Sequence, residues 1–210
     1  MEPSEVRRAV GAARATVTAL GLGVDDAVVL HNSDRIAVRL KPCDVLARVA
    51  PADWLEGMEF EVEVARRVAE ADGPVGLLEP RVESGVHLRD GFSITLWTYY
   101  EPVAADRRDG VVTEALGMSS DLRPEVYAQA LVRLHDGYRQ IELEAPHISV
   151  RVAGWAASAG DRDSTPELPD ADRELVSGTL RRLSAAIGGW SSDEQLLHGE
   201  PHPGNVLNTR

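Results

Sequence analysis

The stretch His198-Gly199-Glu200-Pro201-His202-Pro203-Gly204-Asn205 packs two imidazoles, a carboxylate and an amide into eight residues. His198 and His202 stand four apart, the spacing of the zinc motif H-E-x-x-H, but that motif needs a helix to bring both rings to one face. Gly199, Pro201, Pro203 and Gly204 oppose a helix, and the carboxylate is in the third position, not the second. A stiff polar loop with capping side chains is the plainer alternative.

Phosphoryl transfer is the sharper reading. That chemistry needs a carboxylate beside the acceptor hydroxyl and, a few residues on, an amide oxygen for Mg²⁺, both on a rigid support because catalysis is mostly positioning. Glu200 and Asn205 are five apart, the interval of H-R-D-x-x-x-x-N in protein kinases, with His198 two before the acid.

Taken whole, HGEPHPGNVL resembles the HGDLHPGNVL catalytic loop of the aminoglycoside phosphotransferase and choline kinase-like family. His198, Gly199, His202, Pro203, Gly204 and Asn205 agree without a gap. The resemblance implies a protein-kinase-like α+β fold with two lobes, and ATP-dependent phosphorylation of a small-molecule hydroxyl. It makes Glu200 the catalytic carboxylate and Asn205 a magnesium ligand, with His198 and His202 bracing the loop. Where the family has aspartate this chain has Glu200, whose carboxylate sits about 1.5 Å further from the backbone. A misplacement of about 1 Å can cost on the order of 10²-fold in rate.

The elements that must position this loop can be read upstream. Residues 4–20 predict a helix, from Val6, Val10, Ala13, Val17 and Leu20, stopped by Gly21 and Gly23. Three short strands follow at Val28–Leu30, Ile36–Leu40 and Val45–Val49, with a turn at Asn32-Ser33-Asp34 and a break at Lys41-Pro42. Pro51–Ala71 predicts a helix. Val82–Leu88 and Phe92–Trp97 predict a hairpin around Arg89-Asp90-Gly91. Glu101–Ser120 is polar, Leu122–Ile141 and Asp172–Ile187 predict helices, and Ser158–Asp170 reads as an exposed or mobile loop.

Within that frame the resemblance assigns further roles. Asn32 and Ser33 belong to the turn that would cover the phosphates with its N–H groups, although it lacks glycines. Arg48 falls at the phosphate cation of the third strand, with Lys41 as fallback. Arginine there is bulkier and more forked than lysine. Glu61, with Glu63 as second choice, would brace that cation from the next helix. Trp97 and Tyr99 would present backbone groups to the adenine edge, and His135 is structural. The expected layout is an N-lobe over 1–97, a hinge over 98–105 and a partial, mostly helical C-lobe over 106–210. The family's second acidic metal ligand lies in a strand beyond Asn205 that this sequence does not reach. The 210-residue chain is therefore expected to transfer phosphate weakly or not at all, and a pseudokinase-like binding module is the competing reading.

Composition bounds the partners. Net charge is −12, which opposes nucleic acid and anionic membrane surfaces and leans towards a cationic acceptor. One cysteine, Cys43, no visible secretory signal and no long apolar run point to the cytoplasm. Lys41 is the only lysine, so most cationic work must fall to arginine.

Overall fold

The computed structural model describes residues 1–101, 123–145, 147–189 and 194–199. These form two compact units, residues 1–141 with 197–199, and Glu142–Leu196.

In the first unit the chain runs α1 (Pro3–Ala19), β1 (Val24–Asn32), β2 (Ile36–Pro42), β3 (Val45–Pro51), a 3₁₀ turn at Ala52–Trp54, α2 (Leu55–Glu70), β4 (Val86–Arg89), β5 (Phe92–Thr98) and α3 (Pro124–Tyr138). The strands form one antiparallel sheet in the order β1-β2-β3-β5-β4. Strand alternation splits β2, β3 and β5 cleanly between two faces. One face carries Ile36, Val38, Leu40, Val45, Ala47, Val49, Phe92, Ile94 and Leu96, all buried against α1. The helix meets it through Ala9, Ala12, Ala13, Thr16 and Val17. Three of those five are alanines, small enough for the helix backbone to come close to the sheet. The other face carries Arg48 on β3 and Ser93, Thr95 and Trp97 on β5, and α2 packs there beside β4 and β5 through Met58, Val62, Ala65 and Val68.

Turn chemistry fixes the register. Asp90 and Gly91 both have positive φ, +52° and +84°, as a two-residue hairpin turn of the right hand requires. The first strand is longer than its apolar core predicted, reaching Val24 through Asp25 and Asp26 because β2 pairs with it over that length. As an edge strand it tolerates those exposed acids, which discourage pairing with another chain. The fourth strand starts at Val86, not Val82, after Ser84-Gly85. Before it, Glu79 is buried and takes Nε and an amino group of Arg81 at 2.5 and 2.8 Å, while Arg81 also donates to the Cys43 carbonyl at 2.7 Å. This staple ties the chain before β4 to the β2–β3 turn.

The second unit is a helical hairpin, α4 (Ile148–Gly160) and α5 (Asp170–Gly188). The first of these helices was not expected from the sequence. The intervening turns are not a loose loop. Buried Arg173 donates to the carbonyls of Ala159, Asp161, Thr165 and Leu168 and to the Thr165 hydroxyl. Among the described residues no helix is long and apolar enough to cross a membrane.

Two predictions follow from these contacts. Arg173→Met strands those carbonyls and lowers the stability of the hairpin by about 2–4 kcal/mol in urea denaturation followed by circular dichroism. Arg81 hydrogen bonding holds the Glu79 carboxyl below its ordinary value, against the opposing effect of burial. A depressed carboxylate stabilises the fold above its unfolded pKa and loses that contribution as pH falls through the folded one. Thermal melts of wild type should therefore drop more steeply below pH 4.5 than those of Glu79→Gln.

Candidate active site

The face opposite α1 holds a charged cluster built from three elements. Arg48 projects from β3 away from buried Ala47 and Val49. Glu61 comes from the first half of α2, between buried Met58 and Val62, and so faces the sheet. Arg35 stands at the turn into β2. The Glu61 carboxylate bridges the two guanidiniums, with Oε1 on Arg48 and Oε2 on Arg35 NH1 at 2.8 Å. All three side chains are about one-third exposed or less, at 28%, 27% and 32% for Arg48, Glu61 and Arg35. Burial pulls the Arg48 guanidinium below its ordinary value. Glu61 opposes that pull and the neighbouring Arg35 charge adds to it. Aromatic rings flank the pair: Arg48 lies 6.0 Å from the Trp97 ring centre and Arg35 5.6 Å from that of Trp54.

Beside this cluster, on the same face of β2, lies Arg39. It stacks over the Tyr99 ring at 3.9 Å and reaches Asp44 and Glu101, each at 2.9 Å. It thereby ties the strand to the chain leaving β5. Burial raises the Tyr99 hydroxyl above its ordinary value.

Sequence reasoning paired Arg48 with Glu61, and the fold brings them together. The alternatives separate. Lys41 sits at the far end of β2, opposite Asp26. Glu63 is taken by its own helix: hydrogen bonds from Arg66 and then Arg67 pull its carboxyl down to about 2. Arg35 and Arg39 were missed. The signal was legible, because Arg35, Ala37 and Arg39 alternate with buried Ile36, Val38 and Leu40 and so share the face of Arg48.

The turn and the end of β5 have their own partners. The Ser33 N–H donates to the Arg35 carbonyl at 3.1 Å and the Ser33 hydroxyl to the same oxygen at 3.3 Å. Asn32 is in the ladder opposite Ile36, and its side chain exchanges hydrogen bonds with Met1. The Ser33 N–H and hydroxyl and the Asn32 side chain are thus engaged within the turn and the chain's N-terminus. Trp97 likewise is a strand residue, paired with Leu46 and bridged to Leu78, and its indole donates to Thr95 at 2.8 Å. His198 is exposed. Gly199 has φ +84°, a conformation that favours glycine at that point of the loop. Glu200, His202 and Asn205 lie outside the described residues. Among the described residues no three His, Cys, Asp or Glu converge on a metal position.

An antiparallel sheet with a cation on its third strand, braced by a glutamate from the next helix, fits a kinase-like α+β fold. Residues 16–209 match the phosphotransferase enzyme family. The chain belongs to that family. A solved aminoglycoside-3'-phosphotransferase of type VIII is similar in fold, with TM-score 0.53 and 20% identity, covering 94% of this chain and 70% of its own. A spectinomycin phosphotransferase solved with ADP and spectinomycin gives 0.51 and 13%, covering 94% of this chain and 64% of its own. No curated protein matched. Glu61 of α2 meets Arg48 of β3 across the sheet and the helix. In this phosphotransferase chain a second arginine joins them.

A double-mutant cycle measures the bridge. Glu61→Gln leaves two guanidiniums facing each other and lowers unfolding free energy by about 1–3 kcal/mol. Adding Arg35→Met recovers part of that loss in urea titrations. Additive losses would mean that the two side chains do not interact.

Proposed function

We propose that this phosphotransferase moves the γ-phosphoryl group of ATP to a hydroxyl of a small cationic molecule. The family and the Arg48–Glu61 bridge on the sheet face are the main support. In this reading residues 1–97 bind the nucleotide, 98–105 act as hinge and 106–210 belong to the second lobe.

Arg48 holds the α- and β-phosphates and Glu61 fixes its position. Tyr99 and the chain after it lie along the adenine edge. Glu200 accepts the proton of the acceptor hydroxyl, whose oxygen attacks the γ-phosphorus. The bond from that phosphorus to the β–γ bridging oxygen breaks, and ADP leaves. Asn205 and Glu200 offer hard oxygen donors of the kind Mg²⁺ takes, and Asn205 would hold the ion, which neutralises phosphate charge when bound. A polyhydroxylated amine suits the net charge of −12.

ADP release and ³²P transfer, measured with ATP, Mg²⁺ and a panel of aminoglycosides and amino alcohols, test the reading. Glu200→Gln should lower transfer by about 10²–10⁴-fold while ATP still raises the melting temperature. A second reading, nucleotide binding without transfer, draws on the arginine at position 48 and the glutamate at 200, both departures from the commoner residue. Nucleotide-dependent stabilisation with no transfer by the full-length protein to any hydroxyl would establish it in place of the first.

A further inference from the structure

The β1–β2 turn poses a question that the nucleotide reading leaves open. It has no glycine, and the Ser33 N–H and hydroxyl are both on the Arg35 carbonyl. Yet this turn stands beside the cation of β3. Its side of the cluster presents a guanidinium, that of Arg35, which touches Glu61 through NH1 and lies over the Trp54 ring.

Charge in the cluster is unbalanced. Two guanidiniums share one carboxylate, leaving one positive charge over. Among the described residues, Nε and the second amino group of both Arg35 and Arg48 make no hydrogen bond. Arg35 is 32% exposed and Arg48 28%, so an anion can reach both without the cluster opening. A guanidinium pair spaced by a shared carboxylate offers forked donors to neighbouring phosphate groups, the geometry in which arginine outperforms a point charge.

We propose that Arg35 is a second polyphosphate-binding residue, supplying guanidinium donors where the Ser33 N–H and hydroxyl are already taken. Arg48 takes one phosphate group, Arg35 the next, and Glu61 holds the two cations at a fixed separation. The proposal rests on the nucleotide reading above for the identity of the ligand, but the anion site itself does not need the nucleoside.

Calorimetric titration of the full chain with inorganic tripolyphosphate, adenosine and ATP separates the two claims. Wild type should bind tripolyphosphate. Arg35→Gln should weaken tripolyphosphate and ATP by about 10-fold or more, as expected for a lost charge-assisted contact, and leave adenosine unchanged. Arg35→Lys, which keeps the charge but not the fork, should recover part of the loss, with melting curves recorded for each variant. The proposal is overturned if wild type does not bind tripolyphosphate or if Arg35→Gln binds it as wild type does. Equal weakening of adenosine and tripolyphosphate, together with a lower melting temperature, also overturns it, because Arg35 would then only brace α2. If tripolyphosphate binding depends on Arg35 but adenosine adds nothing to it, the anion site stands and the ATP reading fails.

Discussion

One carboxylate held between two arginines organises the first unit. Glu61 can reach the sheet only because α2 buries Met58 and Val62 on either side of it, which turns the intervening residue inward. Arg48 can meet it only because Ala47 and Val49 are committed to the opposite face. The ion bridge is thus the product of two periodicities, 3.6 in the helix and 2 in the strand, meeting at one point. In a half-buried setting its net contribution to stability is modest, since desolvation offsets much of the Coulombic attraction. Its consequence is geometric, because it ties the helix to the third strand at one point.

The apolar face is what permits the charged one. Ile36, Val38, Leu40, Val45, Val49 and Ile94 are almost wholly buried under α1, so one side of the sheet carries most of the hydrophobic stabilisation. The other side is free to carry arginines, a buried threonine and a tryptophan in positions set by the ladder. Arg39 and Tyr99 extend this polar face towards the chain that leaves β5, and the Glu79–Arg81 staple secures the loop behind it. Arg48 and Glu61 are held by a strand and a helix, not by loops, which limits how far they can drift.

Much of this was legible in the sequence. Apolar alternation in Ile36–Leu40 and Val45–Val49 placed two strands closely, Asp90-Gly91 marked the hairpin, and the Arg48–Glu61 partnership was what the family resemblance implied. The family resemblance of the HGEPHPGN loop agrees with the family match and with the sheet, although the loop's own acid and amide lie outside the described residues. Long-range pairing was the part that local sequence does not carry. β1 extends through Asp25 and Asp26 because a partner strand is there, and the β1–β2 turn closes on the Arg35 carbonyl. The α4 helix escaped notice because its buried face is small, Val152 and Ala156, while Val150 and Trp155 are exposed. Arg173 reads as a surface arginine until the turn carbonyls around it are known. Arg35 was overlooked because attention to the turn fell on its amides.

The claim on which the rest depends is that the space beside the Arg48–Glu61 bridge receives a nucleotide's phosphates. A crystal structure of the chain with a non-hydrolysable ATP analogue measures this directly. The account predicts phosphate oxygens within hydrogen-bonding distance of the Arg48 guanidinium, with Glu61 still in contact with it. A triphosphate bound away from β3, or an Arg48 turned away from it with Glu61 in solvent, would contradict it.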